Sequence, residues 1–178
     1  MIDRKQFANT FQSFDKETII MIIDLFVDHY PHMISSLEQN IADPDLVQLK
    51  VNIHRLKGTL SQFYDPISSA HAAKIETLAQ RKILEIIETL TPEYPESLSE
   101  LRKNTEDREI IEKVTNANTL TAFFEGIAGP GFTIDKIRII DLEMTKISDD
   151  IPPLFSKLKT SFTALIGELL AMKKELIL

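Results

Sequence analysis

Apolar residues recur every three or four positions along most of the chain, and this spacing predicts helices. A short first helix carries Phe7 and Phe11. Asp15 precedes a much longer apolar stripe and is the expected N-cap of a second helix. Pro31 falls within that helix, where we expect a kink or an offset. The stripe consists of Ile19, Ile22, Ile23, Phe26, Tyr30, Met33, Ile34, Leu37 and Ile41.

The third predicted helix contains the residues of greatest chemical interest. Asp43 is its expected N-cap and Pro44 its expected first residue. His54 lies off the apolar face of this helix and should therefore face solvent. The apolar face consists of Leu46, Leu49, Ile53, Leu56, Leu60 and Phe63.

A fourth helix should begin at Pro66 and end before Pro92 and Pro95. The 96–125 region has only weak helical patches, and Gly126–Gly131 is the clearest loop in the chain. A last long amphipathic helix follows. No segment sustains an alternation of period two, so we predict an all-α protein. The buried face of the fourth helix should consist of Ala72, Ile75, Ala79, Ile83, Ile86 and Leu90. The buried face of the last helix should consist of Leu154, Phe155, Leu158, Phe162, Leu165, Ile166 and Leu169.

The composition narrows the classes of function. The length of 178 residues suits one domain, or one domain with an appendage. The net charge of -7 and the lack of a basic tract argue against binding to nucleic acid or to anionic membranes. The chain has no cysteine, and its most apolar window is too short to span a bilayer. We therefore expect a cytoplasmic protein.

His54 has neighbours suited to phosphoryl chemistry. Lys57 and Ser61 follow it by three and seven residues and share its stripe. Gly58 costs about 1 kcal/mol of helix propensity relative to alanine, and the close approach of a partner to the His54 ring would explain it. A histidine held off the core beside cations is suited to receive a phosphoryl group.

A longer pattern around His54 resembles the histidine phosphotransfer (HPt) family over residues ~10–80. Glu76 follows the histidine by twenty-two residues, where family members carry Glu or Gln. The resemblance implies an antiparallel four-helix bundle of HPt type, here with additional C-terminal helices. The matching upstream features are Leu25-Phe26, Pro31, Leu37, Asp43 and the motif His54-Arg55-Leu56-Lys57-Gly58.

The resemblance also implies roles for these residues. His54 would accept a phosphoryl group from an aspartyl phosphate on a response-regulator receiver domain and donate it to another. Glu76 would orient the imidazole through Nδ1. Lys57 and Arg55 would offset the charge of the phosphoryl oxygens, and Gly58 and Ser61 would line the docking surface. Apolar residues of the first helices would ring this surface.

The same resemblance implies partners but no bound cofactor. An upstream, hybrid histidine kinase would supply the phosphoryl group, and Mg²⁺ is expected on the receiver domain, because we predict no metal site in this chain. The chain has no nucleotide-binding glycine motif. We therefore expect a phosphohistidine carrier rather than a stand-alone kinase.

Two features depart from the family. Tyr64 stands where the family usually has glycine, and the tail is longer than a bare module needs. We divide the chain into an HPt-like bundle (1–91), a helical insertion or connector (92–130) and a helical hairpin (131–178). The hairpin either completes the bundle or belongs to a degenerate half-copy of the module, in which Thr121 stands where a histidine would be needed. Gly131 and Glu143 keep a family spacing, which makes Glu143 the alternative to Glu76.

Two other functions are compatible with the residues. The bundle could dock receiver domains without accepting phosphate at His54. It could also be the helical hairpin of a dimeric phosphotransferase with a degenerate kinase-like tail, although the weak strand signal after Pro92 counts against this.

Overall fold

The fold is a packed set of long helices. The computed structural model describes residues 2–90 and 142–178. Within these ranges there is no strand, which confirms the all-α prediction for this part of the chain. None of the described helices has the length and apolarity that crossing a membrane would require. The helices are α1 (Arg4–Phe11), α2 (Lys16–Ala42), α3 (Leu46–Gln62), α4 (Pro66–Leu90) and α5 (Ile151–Ile177).

The start of α2 follows the sequence prediction. The Asp15 carboxylate accepts a hydrogen bond from the Thr18 N–H at 2.8 Å, which satisfies one of the free donors of the first turn. The helix includes Pro31 and continues to Ala42 without interruption.

The predicted start of α3 is wrong by two residues. Asp45 is the N-cap, because its carboxylate accepts from the Gln48 N–H at 2.9 Å. Asp43 instead ends α2, donating its own N–H to the Gln39 carbonyl at 2.8 Å, and Pro44 lies in the connection. Asp43 and Asp45 lie on either side of Pro44, and either could cap the next helix. Because α2 extends to Ala42, Asp43 ends that helix and Asp45 caps α3.

The four long helices contact one another in a closed cycle. α2 packs on α3 and α5, and α4 packs on the same two helices. Phe26 of α2 contacts Phe63 and Phe162, with ring centroids 4.2 and 5.6 Å apart, so residues distant in sequence meet in one core. The predicted apolar faces of α3 and α4 are confirmed for every residue whose side chain the structure describes. The side chain of Leu90 is not among these.

The C-terminal helix shares this core. Polar contacts join it to its neighbours: Lys173 and Lys159 pair with Asp24 and Glu38 of α2, and Ser161 accepts from Ser68 of α4 at 3.0 Å. Its predicted face is confirmed, with Leu154 and Ile166 half-buried and the rest buried. The connector predicted over 92–130, the 126–131 loop, Thr121 and Gly131 lie outside the described residues.

Tyr64 adopts a left-handed backbone conformation, with φ of 52°. Such a conformation costs a non-glycine residue about 1–2 kcal/mol, which explains why a glycine would suit this turn. Two contacts oppose that cost. The Tyr64 carbonyl accepts from the Asp3 N–H at 2.9 Å, and its hydroxyl shares a hydrogen bond with Thr10 at 2.6 Å. The tyrosine thus fastens the N-terminal segment to the end of α3.

Candidate functional site

His54 projects from α3 on the side that faces α4. Its neighbour Ile53 is fully buried and sets the rotation of the helix about its axis. The His54 side chain is 52% exposed, so a partner can reach the ring without any movement of the core. The predicted position of His54 off the apolar face is confirmed.

Glu76 lies opposite His54 on α4. Its Oε1 is 2.6 Å from the His54 Nδ1, within hydrogen-bond distance. The carboxylate is ionised and can only accept, so Nδ1 carries the proton of this bond. Nε2 makes no hydrogen bond within the described part of the chain, and in the neutral ring it holds the lone pair. The Glu76 side chain is only 12% exposed, and its position is fixed by the packing of α4 on α3.

Lys57 completes the cluster. One turn after His54 on α3, its Nζ donates to the second carboxylate oxygen of Glu76. Each Glu76 oxygen therefore has its own donor, one from the imidazole and one from the ammonium. The resemblance implied that Lys57 acts on phosphoryl oxygens, but in this structure its charge is directed at Glu76.

The environment of Glu76 keeps it ionised. Burial by itself would raise the pKa of Glu76, but the hydrogen bonds and positive charges of Lys57 and His54 outweigh it and hold that pKa below the ordinary value of 4.5. A carboxyl group with a lowered pKa stabilises the folded chain above its unfolded pKa. That stabilisation is lost as the pH falls through the folded pKa.

We predict that Glu76→Gln removes this pH-dependent stability. At about pH 7 the variant should be less stable than the wild type by about 1 kcal/mol, because Lys57 loses a charged acceptor. The difference should shrink as the pH is lowered through the acid range, where the wild-type carboxylate is protonated as well. Urea unfolding of both proteins at several pH values measures this difference in the free energy of unfolding. An equal difference at all pH values would show that the Glu76 charge does not matter for stability.

Of the remaining predicted site residues, three lie on α3 and one, Glu143, lies ahead of α5. Arg55 and Gly58 are exposed, and a Cβ built at Gly58 would meet nothing within 4 Å. The Ser61 hydroxyl donates to the Gly58 carbonyl at 2.7 Å. Glu143, the alternative to Glu76, forms an ion pair with Lys146 instead. The geometry therefore favours Glu76 as the partner of His54.

The pairing of Lys57 with Glu76 was not predicted from the sequence. The available signal was the i, i+3 spacing of His54 and Lys57, which places both side chains toward one neighbouring helix. Elsewhere, the described residues contain no group of three or more His, Cys, Asp or Glu side chains that could hold a metal ion.

Comparison of the chain with protein-family models, with curated proteins and with solved structures found no match.

Proposed function

We propose that this protein is a cytoplasmic phosphorelay intermediate that carries a phosphoryl group on His54 between receiver-domain aspartates. The observation that carries the proposal is the hydrogen bond of Glu76 to the Nδ1 of a half-exposed histidine. This bond fixes the tautomer in which Nε2 holds a free lone pair, and it leaves that nitrogen accessible to a partner.

The transfer is a reversible displacement at phosphorus. The Nε2 lone pair attacks the phosphorus of an aspartyl phosphate, a P–N bond forms, and the P–O bond to the aspartate breaks so that its carboxylate leaves. The imidazole gains positive charge while Nδ1 keeps its proton. Glu76 offsets that charge from 2.6 Å away. In the return step the carboxylate of a second receiver attacks phosphorus and His54 leaves as neutral imidazole.

Lys57 and Glu76 together position the His54 ring. Because Lys57 donates to the second oxygen of Glu76, it holds the carboxylate ionised and in the orientation that His54 needs. Arg55 remains as an exposed cation on the helix that bears the histidine. Mg²⁺ belongs to the receiver in this proposal, where it would neutralise the phosphoryl oxygens.

The arrangement of α2 to α5 supports an antiparallel four-helix bundle of HPt type as the scaffold. Short connections join α2 to α3 and α3 to α4, which makes each pair an antiparallel hairpin. Ion pairs match Asp24 with Lys173 and Glu38 with Lys159, so α5 runs antiparallel to α2. In this scheme α5 is the fourth member of the bundle, and the segment before it is an insertion.

The second candidate function is a docking module that binds receiver domains without accepting phosphate. The same exposed face of α3 would serve it. The ordered contact between Glu76 and Nδ1 favours the carrier, because docking alone needs no defined tautomer.

Phosphotransfer from a panel of receiver domains tests the proposal, and Gly58→Glu is its sharpest variant. The receivers are first phosphorylated with acetyl phosphate and Mg²⁺, and the appearance of phosphate on the chain is followed. Glu at position 58 would place a charged side chain in the open space beside His54, so transfer should fall by about tenfold or more. Helix content should change little, since nothing in the described chain occupies that space.

Gly167→Glu is the matched control, because Gly167 is also exposed within a helix and a Cβ there meets nothing within 4 Å. It should transfer at the wild-type rate. Wild-type transfer by Gly58→Glu would mean that the partner does not dock on this face. No transfer from any receiver to the wild type would contradict the proposed function itself.

A further inference from the structure

A half-open cavity of about 520 Å³ lies between α1, the start of α2 and the C-terminal end of α5. Small-molecule sites in proteins have volumes of about 300–1,000 Å³, and this cavity falls within that range. It shares no residue with the cluster of His54, Lys57 and Glu76, so the proposed phosphotransfer gives it no role. Most of its wall is apolar, and the residues of that wall are Phe7, Phe11, Phe14, Ile19, Met172 and Leu176.

Backbone hydrogen bonds hold the walls of the cavity together. At the beginning of α1, the Ile2 N–H donates to the Glu168 carboxylate of α5 at 2.7 Å. In the turn between α1 and α2, the Phe14 N–H donates to the Phe11 carbonyl at 3.0 Å. The first bond joins α1 to α5, and the second fixes the path of the chain from α1 to α2. The cavity is therefore formed before any ligand binds, as is usual for small-molecule sites.

Three phenylalanine rings form a continuous aromatic wall in the cavity. The ring centroids of Phe7 and Phe11 are 4.5 Å apart, and those of Phe11 and Phe14 are 5.9 Å apart. Phe7 and Phe11 are buried, but Phe14 is 48% exposed and leaves apolar surface in contact with water. Aromatic rings attract one another at centroid distances of about 4.5–7 Å, and the Met172 sulfur of α5 is also a favourable contact for a ring. The wall is therefore suited to a ligand with aromatic rings.

The charges in the lining of the cavity neutralise each other. Arg4 and Glu175 are the only charged residues among those that line it, and Arg4 Nη1 lies 3.3 and 3.0 Å from the two carboxylate oxygens of Glu175. An ionised ligand would be attracted by one member of this pair and repelled by the other, so little would offset its loss of hydration. The exposed Gln12 amide can donate to and accept from a neutral polar group. The lining therefore favours a neutral ligand.

We infer that this cavity binds a neutral aromatic small molecule that has more than one ring and carries a hydrogen-bonding group. Its rings would cover the exposed surface of Phe14, and its polar group would bind the Gln12 amide. The inference goes beyond the proposed function and does not depend on it. Either can fail without the other, because the cavity and the His54 cluster share no residue.

Two fluorescent probes with one common skeleton test the inference on the full chain. N-phenylnaphthylamine is neutral and aromatic and has a single N–H donor, whereas anilinonaphthalene sulfonate adds one negative charge to the same skeleton. Both fluoresce strongly only in apolar surroundings. The neutral probe should bind one molecule per chain, at least about tenfold more tightly than the sulfonate. It should also raise the melting temperature, because it binds the folded chain alone.

Ala8→Trp is the variant that fills the cavity. Ala8 lines the cavity and is exposed on α1, so a larger side chain there occupies the space without removing a core residue. Affinity for the neutral probe should fall at least about tenfold. Ala164→Trp is the matched control, because Ala164 is exposed on α5 and does not line the cavity. It should bind the probe as the wild type does, and far-UV circular dichroism establishes that both variants are folded.

Glu175→Gln tests why the ligand should be neutral. This variant leaves Arg4 without its carboxylate partner at the cavity. Affinity for the sulfonate should rise by about threefold, as expected for an exposed charge, while affinity for the neutral probe should change little. An unchanged affinity for the sulfonate would show that the ion pair does not determine the charge of the ligand.

Four outcomes on the wild type or Ala8→Trp would overturn the inference, and each would leave the proposed function intact. The first is that neither probe binds the wild type, and the second is that the sulfonate binds as tightly as the neutral probe. The third is binding that Ala8→Trp leaves unchanged. The fourth is a dimer of the wild type, detected by sedimentation, that Ala8→Trp dissociates, because the occupant of the cavity would then be a second copy of the chain.

Discussion

His54→Gln is expected to abolish phosphorylation of the chain by receiver domains completely. Glutamine fills a similar volume on an exposed helix face but has no nucleophilic nitrogen, so the fold should be retained while the acceptor is lost. The phosphate on the wild type should be labile in acid and stable in base, as a phosphoramidate is. Labelled transfer followed by acid and base treatment measures both properties.

His71→Gln is the matched control for this experiment. His71 also lies on a helix, and its Nδ1 is 3.4 Å from the Ser161 hydroxyl. The Nδ1 of His71 therefore contacts a hydroxyl group, whereas the Nδ1 of His54 contacts a carboxylate. This variant should accept phosphate as the wild type does. Label that persists in His54→Gln would place the acceptor elsewhere.

Removal of residues 149–178 is expected to unfold the protein. Replacing one buried Leu or Phe by Ala typically costs about 2–5 kcal/mol, against a total stability of about 5–15 kcal/mol for a domain. The fragment 1–148 loses all of α5 and should show no cooperative thermal transition by circular dichroism. The buried residues removed with it are Ile151, Phe155, Leu158, Phe162, Leu165 and Leu169.

A fragment ending at Leu176 controls for shortening the chain, because Ile177 and Leu178 are exposed. It should melt cooperatively near the wild-type temperature. The opposite result would be a soluble 1–104 fragment that melts cooperatively and accepts phosphate. Such a fragment would show that the module of residues 1–91 is complete without α5.

The helices could be predicted because their apolar residues repeat at helical spacing over many turns. The faces of α3 and α4 were predicted residue by residue, as was the capping of α2 by Asp15, since an acidic residue there precedes a clear stripe. The exposure of His54 followed from the same periodicity. These features depend on local sequence, which a single chain displays directly.

Features that depend on contacts between helices could not be derived in the same way. Asp43 and Asp45 are chemically equivalent as caps, and the choice depends on where α2 ends. The distance from Nδ1 to Glu76 and the commitment of Lys57 to the same carboxylate depend on the register of α3 against α4. Periodicity sets which face of a helix is buried, but it does not set how far one helix slides along another.

The central claim is that the phosphoryl group is carried on Nε2 of His54. Nuclear magnetic resonance of the ¹⁵N-labelled, phosphorylated chain tests it most directly, by locating phosphorus through its coupling to the ring nitrogens. We predict coupling to Nε2 of His54, with Nδ1 still protonated and hydrogen-bonded to Glu76. Phosphorus on Nδ1 or on another side chain would contradict this claim. So would the absence of phosphorus from the chain after exposure to every phosphorylated receiver.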